Sequence, residues 1–254
     1  MRTLLIDGDI LVYRITAANE CPIDWGNDIW TLHSDAAECR EALDSQVAQY
    51  LEALDGDDVI LAFSPPRNFR YDVYPQYKSN RQGKRKPVAY VPTKQYAHEA
   101  YKTFERPGLE GDDVLGILAT SPVIVKGEKI IVSLDKDLKT IPGLICDMRD
   151  PIELREITEA EADYNHMFQT LAGDAADGYS GCPGIGPKTA EKLLEGVEKT
   201  YAAMWPVVVE QYVKKGLTEQ TALTQARIAR ICRRGDYDFK RKEVKLWNPP
   251  TPKP

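Results

Sequence analysis

The sequence predicts an α/β fold in which a mostly parallel sheet, flanked by helices, is followed by a helical region. Short apolar runs at 3–6, 59–63 and 129–134 have the length of buried strands. Helical spacing of apolar residues at 35–54 separates the first two runs, as a strand-helix-strand unit requires. From about residue 158 onward the pattern is helical, which completes the predicted architecture.

The predicted elements of the first part alternate between strands and helices. They are a strand at 3–6, a helix at 35–54, a strand at 59–63, helices at 94–104 and 110–118, and a strand at 129–134. The first strand runs into Asp7-Gly8-Asp9, the second ends at Ser64, and the third precedes Asp135. Parallel strands deliver such side chains to one edge of a sheet.

The second part is predicted to be helical throughout. Thr158 has the position and chemistry of an N-cap for a helix that continues to residue 171. Further helices are predicted at 187–195, 200–214 and 218–234. The change of pattern divides the chain into residues 1–157 and 158–254.

Composition excludes several kinds of site. Five cysteines lie far apart without a Cys-x-x-Cys pair, and three histidines occur outside any local motif, so zinc and histidine chemistry are disfavoured. No run approaches the roughly 18 apolar residues of a membrane span, and the chain starts as a strand rather than as a signal peptide. We therefore expect a cytoplasmic protein.

Positive charge is concentrated in two strips, although the formal net charge is −6. Residues 67–94 contain eight basic residues against the single acid Asp72, and residues 227–245 contain eight against three acids. A charge run is usually a solvated surface. Here Tyr77, Lys78 and Arg81 stand among further aromatic residues, a combination that suits contact with single-stranded nucleic acid.

Acidic residues cluster at the predicted ends of elements, and together they suggest a metal site. Each pair alone could be a turn or a helix cap. Like charges in a cleft need cations, and oxygen ligands without histidine or thiolate favour Mg²⁺ or Mn²⁺. Two ions roughly 3.5 to 4 Å apart would support hydrolysis of a phosphodiester. The candidate ligands are Asp7, Glu110, Asp112, Asp113, Asp135, Asp137, Asp174 and Asp177.

A glycine-rich turn before a helix provides a candidate DNA contact. Gly184 and Gly186 precede Pro187, and Lys188 and Lys192 follow on the helix. Free amides at a helix start suit a DNA phosphate regardless of sequence, whereas a helix-helix turn without a ligand is the alternative. The predicted DNA-binding residues are Lys84, Arg85, Lys86, Gly184, Gly186, Lys188 and Lys192.

Taken in order, these motifs resemble those of the 5′ nuclease family, which is flap endonuclease-like and PIN-like. The match runs over about residues 3–195, and the compact C-terminus is most similar to phage 5′-to-3′ exonucleases of the T7 gene 6 type. The motifs are Leu5-Ile6-Asp7-Gly8, Tyr77-Lys78-Ser79-Asn80-Arg81, Glu110-Gly111-Asp112-Asp113, Ser133-Leu134-Asp135-Lys136-Asp137, Gly173-Asp174-Ala175-Ala176-Asp177 and Gly184-Ile185-Gly186-Pro187-Lys188.

The resemblance implies a PIN-like nuclease domain at 1–157, with a helical arch at about 67–106. It implies a helical DNA-binding region at 158–254, with a helix-hairpin-helix, or helix-three-turn-helix, element at about 168–195. The acids would bind two Mg²⁺ ions, with Mn²⁺ as a substitute. Lys78 and Arg81 would contact the scissile phosphate, with Tyr77 beside them. The DNA substrate would carry a 5′ end, nick or flap, and RNA–DNA hybrids stay open.

Two departures from the family pattern affect the expected ions. Many relatives have an acid after the second predicted strand, where this chain has Ser64, so one site could lack a ligand. The usual Asp-Asn-Ile-Pro is Asp177-Gly178-Tyr179-Ser180 here, which leaves K⁺ binding at the hairpin open.

Two other functions fit part of the pattern. A haloacid-dehalogenase-like phosphatase would use Asp7, Asp9, Ser133 and Asp174, but it leaves the hairpin and the basic strip unexplained. A non-catalytic DNA-binding module would use the hairpin and the strips, although clustered acids would then repel the ligand.

Overall fold

A six-stranded sheet forms the centre of the protein, which is described by a computed structural model over residues 1–81 and 83–250. The order of the strands is β5-β4-β1-β6-β7-β8, and every neighbouring pair is parallel except β7 and β8. The sheet strands are β1 (Arg2–Asp7), β4 (Asp58–Ala62), β5 (Thr103–Phe104), β6 (Glu128–Ser133), β7 (Gly143–Asp147) and β8 (Asp150–Ile157). Two small hairpins contain β2 (Cys21–Asp24), β3 (Trp30–His33), β9 (Tyr237–Asp238) and β10 (Glu243–Val244).

Helices cover the sheet and form the second half of the chain. They are α1 (Gly8–Ala18), α2 (Ala36–Ala53), α3 (Arg70–Val73), α4 (Tyr90–Ala100), α5 (Gly111–Thr120), α6 (Glu159–Ala172), α7 (Pro187–Leu194), α8 (Tyr201–Lys214) and α9 (Glu219–Ala229). Short 3₁₀ helices occupy Ser79–Arg81 and Lys136–Thr140. None of the helices in the described ranges is long and apolar enough to cross a membrane.

The alternation of side chains along β1 explains why the sheet has two apolar faces. Successive residues of a strand point to opposite faces, so Leu4 and Ile6 enter one core while Leu5 enters the other. The first core lies under α1, α2 and α4, and the second lies under α5. Both faces are buried, as expected for a mostly parallel sheet.

The helical half has its own core and then returns to the sheet. Residues of α6 to α9 form a third apolar cluster, which includes Met167, Leu171 and Tyr212. After α9 the chain crosses back, and Ile231 and Cys232 join the core under α5. Helices do begin after residue 158, but Tyr237 and Val244 also pack against the core of the first part, whereas Trp247 packs in the helical core.

The predicted fold class is confirmed, with several corrections to its elements. The helix predicted at 94–104 spans Tyr90–Ala100, and the one predicted at 218–234 ends at Ala229. Helix α1 and strands β7 and β8 were not predicted. The short apolar runs of β7 and β8 include polar residues, so their pairing depends on the neighbouring strand β6 rather than on local pattern.

Candidate metal and DNA site

The ends of three neighbouring strands place acidic and hydroxyl side chains at one edge of the sheet. Asp7 ends β1, Ser133 ends β6, and Ser64 follows β4. The Asp7 carboxylate accepts hydrogen bonds from the Ile10 amide (3.0 Å) and from the Ser133 hydroxyl (2.9 Å). Parallel order thus brings together residues that are more than a hundred positions apart.

Four carboxylates at this edge repel one another, and we call Asp7, Asp112, Asp135 and Asp137 the acidic edge. Burial, together with the charges of Asp9 and Asp135, raises the pKa of Asp7 to about 7. Burial and the charges of Asp135 and Asp7 raise the pKa of Asp112 well above its usual value. Burial likewise raises the pKa of Asp135, and that of Asp137 to about 7.

Asp112 experiences this repulsion most strongly. No group in residues 1–81 or 83–250 donates a hydrogen bond to its side chain or pairs with it as a cation within 4 Å. The charges of Asp135 and Asp7 act against its ionisation, and the charge of Lys78 offsets them only in part. Such an arrangement is stable in the ionised form only if a cation supplies the missing positive charge.

A second group of acids is already held by basic and phenolic side chains. Lys78 Nζ lies 2.7 Å from Glu110 Oε1 and 3.6 Å from Asp177 Oδ2. Arg81 donates to Asp177 Oδ1 (2.6 Å). The buried Tyr77 hydroxyl lies 2.8 Å from both Glu110 and Asp177, so its ring is packed in the protein and serves to position the two acids.

The turn that carries Asp174 and Asp177 depends on two glycines. Gly173 has φ +69, and a Cβ there would lie 2.4 Å from the Ser180 carbonyl carbon. Gly178 has φ +73 and lies against the backbone of Lys78, whose own φ of +52 is in the left-handed region. The Lys78 amide donates to the Asp177 carbonyl (2.8 Å). This interlock fixes the lysine beside the acids.

Asp174 lies near the acidic edge, but its carboxylate is paired with a lysine of the protein. Lys136 Nζ lies 2.9 Å from its Oδ2. Burial alone would raise the pKa of Asp174, but the hydrogen bond and charge of Lys136, together with the amides of Ala176 and Asp177, hold that pKa below the usual value. Lys136 itself is largely exposed, so a competing cation can displace it.

Asp113, one of the predicted metal ligands, is occupied by groups of the protein in this structure. Its two oxygens accept from both terminal nitrogens of Arg70 (2.7 and 2.8 Å) and from the amides of Glu110 (2.9 Å) and Cys232 (3.0 Å). All four acceptor positions of the carboxylate are therefore used. Burial opposes ionisation, but Arg70 prevails and lowers the pKa of Asp113.

Much of the second basic strip is likewise structural. Arg230 pairs with Asp236 (2.8 Å), and Arg233 pairs with Asp163 (2.7 Å). Together with Arg70 and Asp113 they line the contact where the chain returns to the sheet, and we call these six residues the arginine seam. The sequence showed the positive charge, but it could not show which cations the fold would bury.

A cleft of about 600 Å³ opens beside the acids and contains residues that the sequence reading did not select. Asp9 accepts from the Ser64 amide (2.7 Å) and the Tyr90 hydroxyl (2.9 Å), and Lys94 binds Glu105 (3.1 Å). The sequence indicated Asp9 only through its position two residues after Asp7, at the end of the first predicted strand. Tyr90 and Lys94 belong to the basic strip at 67–94, but nothing in the sequence indicated that α4 would bring them to the cleft.

The predicted DNA-binding residues lie in separate parts of the structure. Lys86 lines the cleft, and Lys84 is exposed. Arg85 binds Glu20 through both terminal nitrogens (2.8 and 2.6 Å), so it is occupied by an internal acid. Gly184 and Gly186 are exposed in the turn before α7, and Lys188 and Lys192 line a different cavity on that helix.

The donor set fits a hard divalent cation. The acids provide only oxygen atoms, and four of them lack full charge compensation. Within the described ranges, no three acidic, histidine or cysteine side chains are grouped tightly enough to enclose one ion. Binding therefore requires the carboxylates to move inward or to bind through water.

Comparison with known proteins assigns the family. Residues 2–164 match the model described as 5′-3′ exonuclease, N-terminal resolvase-like domain. The chain belongs to this 5′-3′ exonuclease family. It is 34% identical to the exonuclease of Escherichia phage T7, over 97% of this chain and 93% of that protein. It is also 34% identical to the exodeoxyribonuclease of Enterobacteria phage T3, over 97% and 92%.

A solved structure supports the fold of this 5′-3′ exonuclease family member. The bacteriophage T5 flap endonuclease, in a pseudo-enzyme-product complex with DNA and metal ions, matches with a TM-score of 0.68. The match covers 90% of this chain and 89% of that one, at 13% identity. The family assignment leaves the phosphatase hypothesis without support.

Proposed function

We propose that this protein is a Mg²⁺-dependent 5′-to-3′ exodeoxyribonuclease that hydrolyses DNA from or near a 5′ end by a two-metal mechanism. The observation that carries the proposal is the acidic edge, where the charges of Asp135 and Asp7 act on Asp112 and no cation of the described residues lies within 4 Å of its carboxylate. Oxygen-only donors favour Mg²⁺, and Mn²⁺ should substitute. Family membership supplies the reaction class.

The proposed ligands are the predicted acids other than Asp113. When bound, the ions supply an activated water and stabilise the leaving oxygen of the phosphodiester. The ligands, bound directly or through water, would be Asp7, Glu110, Asp112, Asp135, Asp137, Asp174 and Asp177.

The cationic side chains orient the scissile phosphate. Lys78 and Arg81 pair with Glu110 and Asp177 in the metal-free protein. With metal ions bound at those carboxylates, Lys78 and Arg81 would be free to bind the scissile phosphate. Tyr77 keeps Glu110 and Asp177 at a fixed separation through its hydroxyl.

DNA would be held on both sides of the acids. Lys86 lines the cleft, Lys84 is exposed two residues before it, and Arg85 can contact a phosphate after it releases Glu20. Gly184, Gly186, Lys188 and Lys192 would contact the duplex backbone, with K⁺ at the turn as a further proposal. Phage relatives point to action in the host cytoplasm, and RNA–DNA hybrids are candidate substrates.

The direct test uses duplex DNA labelled at either the 5′ or the 3′ end, with Mg²⁺ or with EDTA. We expect early release of short products from the 5′-labelled end, gradual shortening of the 3′-labelled strand, and no cleavage in EDTA. Binding in EDTA without turnover on addition of Mg²⁺ would instead identify a non-catalytic DNA-binding module.

A variant tests the metal assignment within this experiment. Asp177→Asn should lower turnover by roughly a hundredfold or more, because it removes a charged ligand while DNA binding persists. Asp55→Asn is the matched control, since Asp55 is exposed at the opposite edge of the sheet. Activity of Asp177→Asn near that of the control would remove Asp177 from the proposed ligand set.

A further inference from the structure

The hairpin of β9 and β10 presents positive charge that the proposed cleft does not use. Lys240, Arg241, Lys242 and Lys245 are all exposed. Within the described part of the chain, none of the four pairs with an acid within 4 Å. We call residues 237–245 the basic hairpin, and it contains four of the eight cations of the second basic strip.

The basic hairpin is held in place rather than attached as a loose tail. Asp238 accepts from the amides of Lys240 (2.9 Å) and Arg241 (3.0 Å), and its carbonyl accepts from the amide of Lys242 (2.7 Å). The buried Tyr237 donates its hydroxyl hydrogen to the Pro107 carbonyl (3.1 Å). The cations therefore have a defined position relative to the sheet.

A groove of about 790 Å³ lies beside the basic hairpin. Its apolar surface comes from Pro65, Pro66, Phe69, Pro107, Val244 and Leu246. Arg106 and Lys242 stand at its border, and the Arg106 guanidinium stacks on the Phe104 ring at 3.8 Å from the ring centre. The groove thus combines apolar surface with cations.

The acids in this groove leave the positive charge largely free. Asp72 is paired with Arg67, and Glu105 with Lys94. Glu243 is exposed and has no cation partner within 4 Å among the described residues. It stands between Lys242 and Lys245, so the local balance still favours an anion.

The groove adjoins the cleft beside the acids. Pro65 and Pro66 line both of them, on the segment that follows β4. A strand that leaves the cleft across these prolines would meet Phe69 and then the basic hairpin. This adjacency points to nucleic acid rather than to a protein as the occupant.

We propose that the groove and the basic hairpin bind an unpaired segment of the DNA held in the cleft. Apolar and aromatic surface bordered by cations suits single strands, because bases pack on the surface while phosphates meet the cations. The volume is that of a small-molecule site and does not admit a duplex. This inference rests on the proposed function for the identity of the DNA.

The experiment compares Lys240→Ala/Lys242→Ala with the control Lys102→Ala/Lys126→Ala, which removes two exposed charges from the opposite edge of the sheet. Binding is measured in EDTA by fluorescence anisotropy, as a function of salt, on blunt duplex and on duplexes with a 5′ or a 3′ overhang. Cleavage of blunt duplex in Mg²⁺ is measured separately, so a failure of the proposed nuclease function appears in a different assay.

We expect the hairpin variant to bind one overhang substrate about tenfold more weakly, with a salt slope reduced by roughly 1.4, as the loss of two single-strand phosphate contacts requires. If the hairpin variant binds only one of the two overhang substrates more weakly, that overhang is the strand that enters the groove. Unchanged binding, or an equal loss on blunt duplex, would overturn the proposal. If the hairpin variant and the control variant both bind more weakly to the same extent, the effect is one of non-specific charge, and the proposal is overturned as well.

Discussion

The acidic edge and the arginine seam are neighbouring regions that differ in how their buried charges are balanced. In the seam, Arg70, Arg230 and Arg233 each meet an acid of the protein at 2.7 to 2.8 Å. At the edge, Asp7 and Asp112 face other acids, and their pKa values are raised. The charges of the arginine seam are balanced within the protein, whereas those of the acidic edge need a bound cation.

Asp112 and Asp113 show the difference within two consecutive residues. Both are in the first turn of α5, but Asp113 binds Arg70 and has a lowered pKa, while burial and the charge of Asp135 raise the pKa of Asp112. A carboxylate with a fixed cation contributes to stability, and one without it is available to a mobile ion. Sequence position therefore does not decide the role of an acid here.

The largest expected effect is on stability. Asp113→Asn should lower the free energy of unfolding by about 3 to 5 kcal/mol, because it leaves the buried Arg70 guanidinium without its charge partner. Chemical denaturation in EDTA measures this. A loss below about 1 kcal/mol would mean that Glu110 and the backbone carbonyls compensate Arg70 on their own.

Addition of Mg²⁺ should separate the two regions. The wild-type protein should gain about 2.7 kcal/mol at a hundred times the dissociation constant, since the ion binds only the folded state. Asp113→Asn should keep most of this gain, and Asp112→Asn should lose most of it. Thermal unfolding with and without Mg²⁺ provides the comparison, and an equal gain in both variants would contradict it.

The pH dependence of stability should reveal a buried base next to the seam. Burial and the charges of Arg230 and Arg233 hold the pKa of His166 well below 6.5. Below pH 6.5 the unfolded chain binds a proton that the folded protein does not, so stability falls as pH falls, by about 1.4 kcal/mol per unit.

This window ends at the folded pKa of His166. His166→Gln should remove this part of the slope when denaturation is followed from pH 7 to pH 5 in EDTA. Because the acidic edge is common to both proteins, the difference between their slopes isolates the histidine. Parallel curves would assign the slope to other groups.

The smallest expected effect has the opposite sign to the first. Asp112→Asn should stabilise the metal-free protein by about 1 kcal/mol, because it removes repulsion with Asp7 and Asp135. Chemical denaturation in EDTA, with Asp113→Asn in parallel, measures it. Destabilisation by Asp112→Asn would show that an unrecognised contact holds this carboxylate.

Some of these features could be predicted from local pattern, and others could not. The strands β1, β4 and β6 are short apolar runs that end in polar residues, and the N-caps Asp35 and Thr158 mark their helices directly. Tyr90 and Lys94 carry no such signal, since only the packing of α4 brings them to the cleft. Strands β7 and β8 depend on their partners in the same way.

The sequence by itself determined the fold class, the set of acids and the family, because these depend on periodicity, residue type and motif order. Tertiary structure decided which acids have a partner. Asp113 was lost from the ligand set because Arg70 and the returning segment at Cys232 occupy its oxygens. Arg230 and Arg233 of the second basic strip were buried for the same reason, since a charge can enter the interior only with an opposite charge beside it.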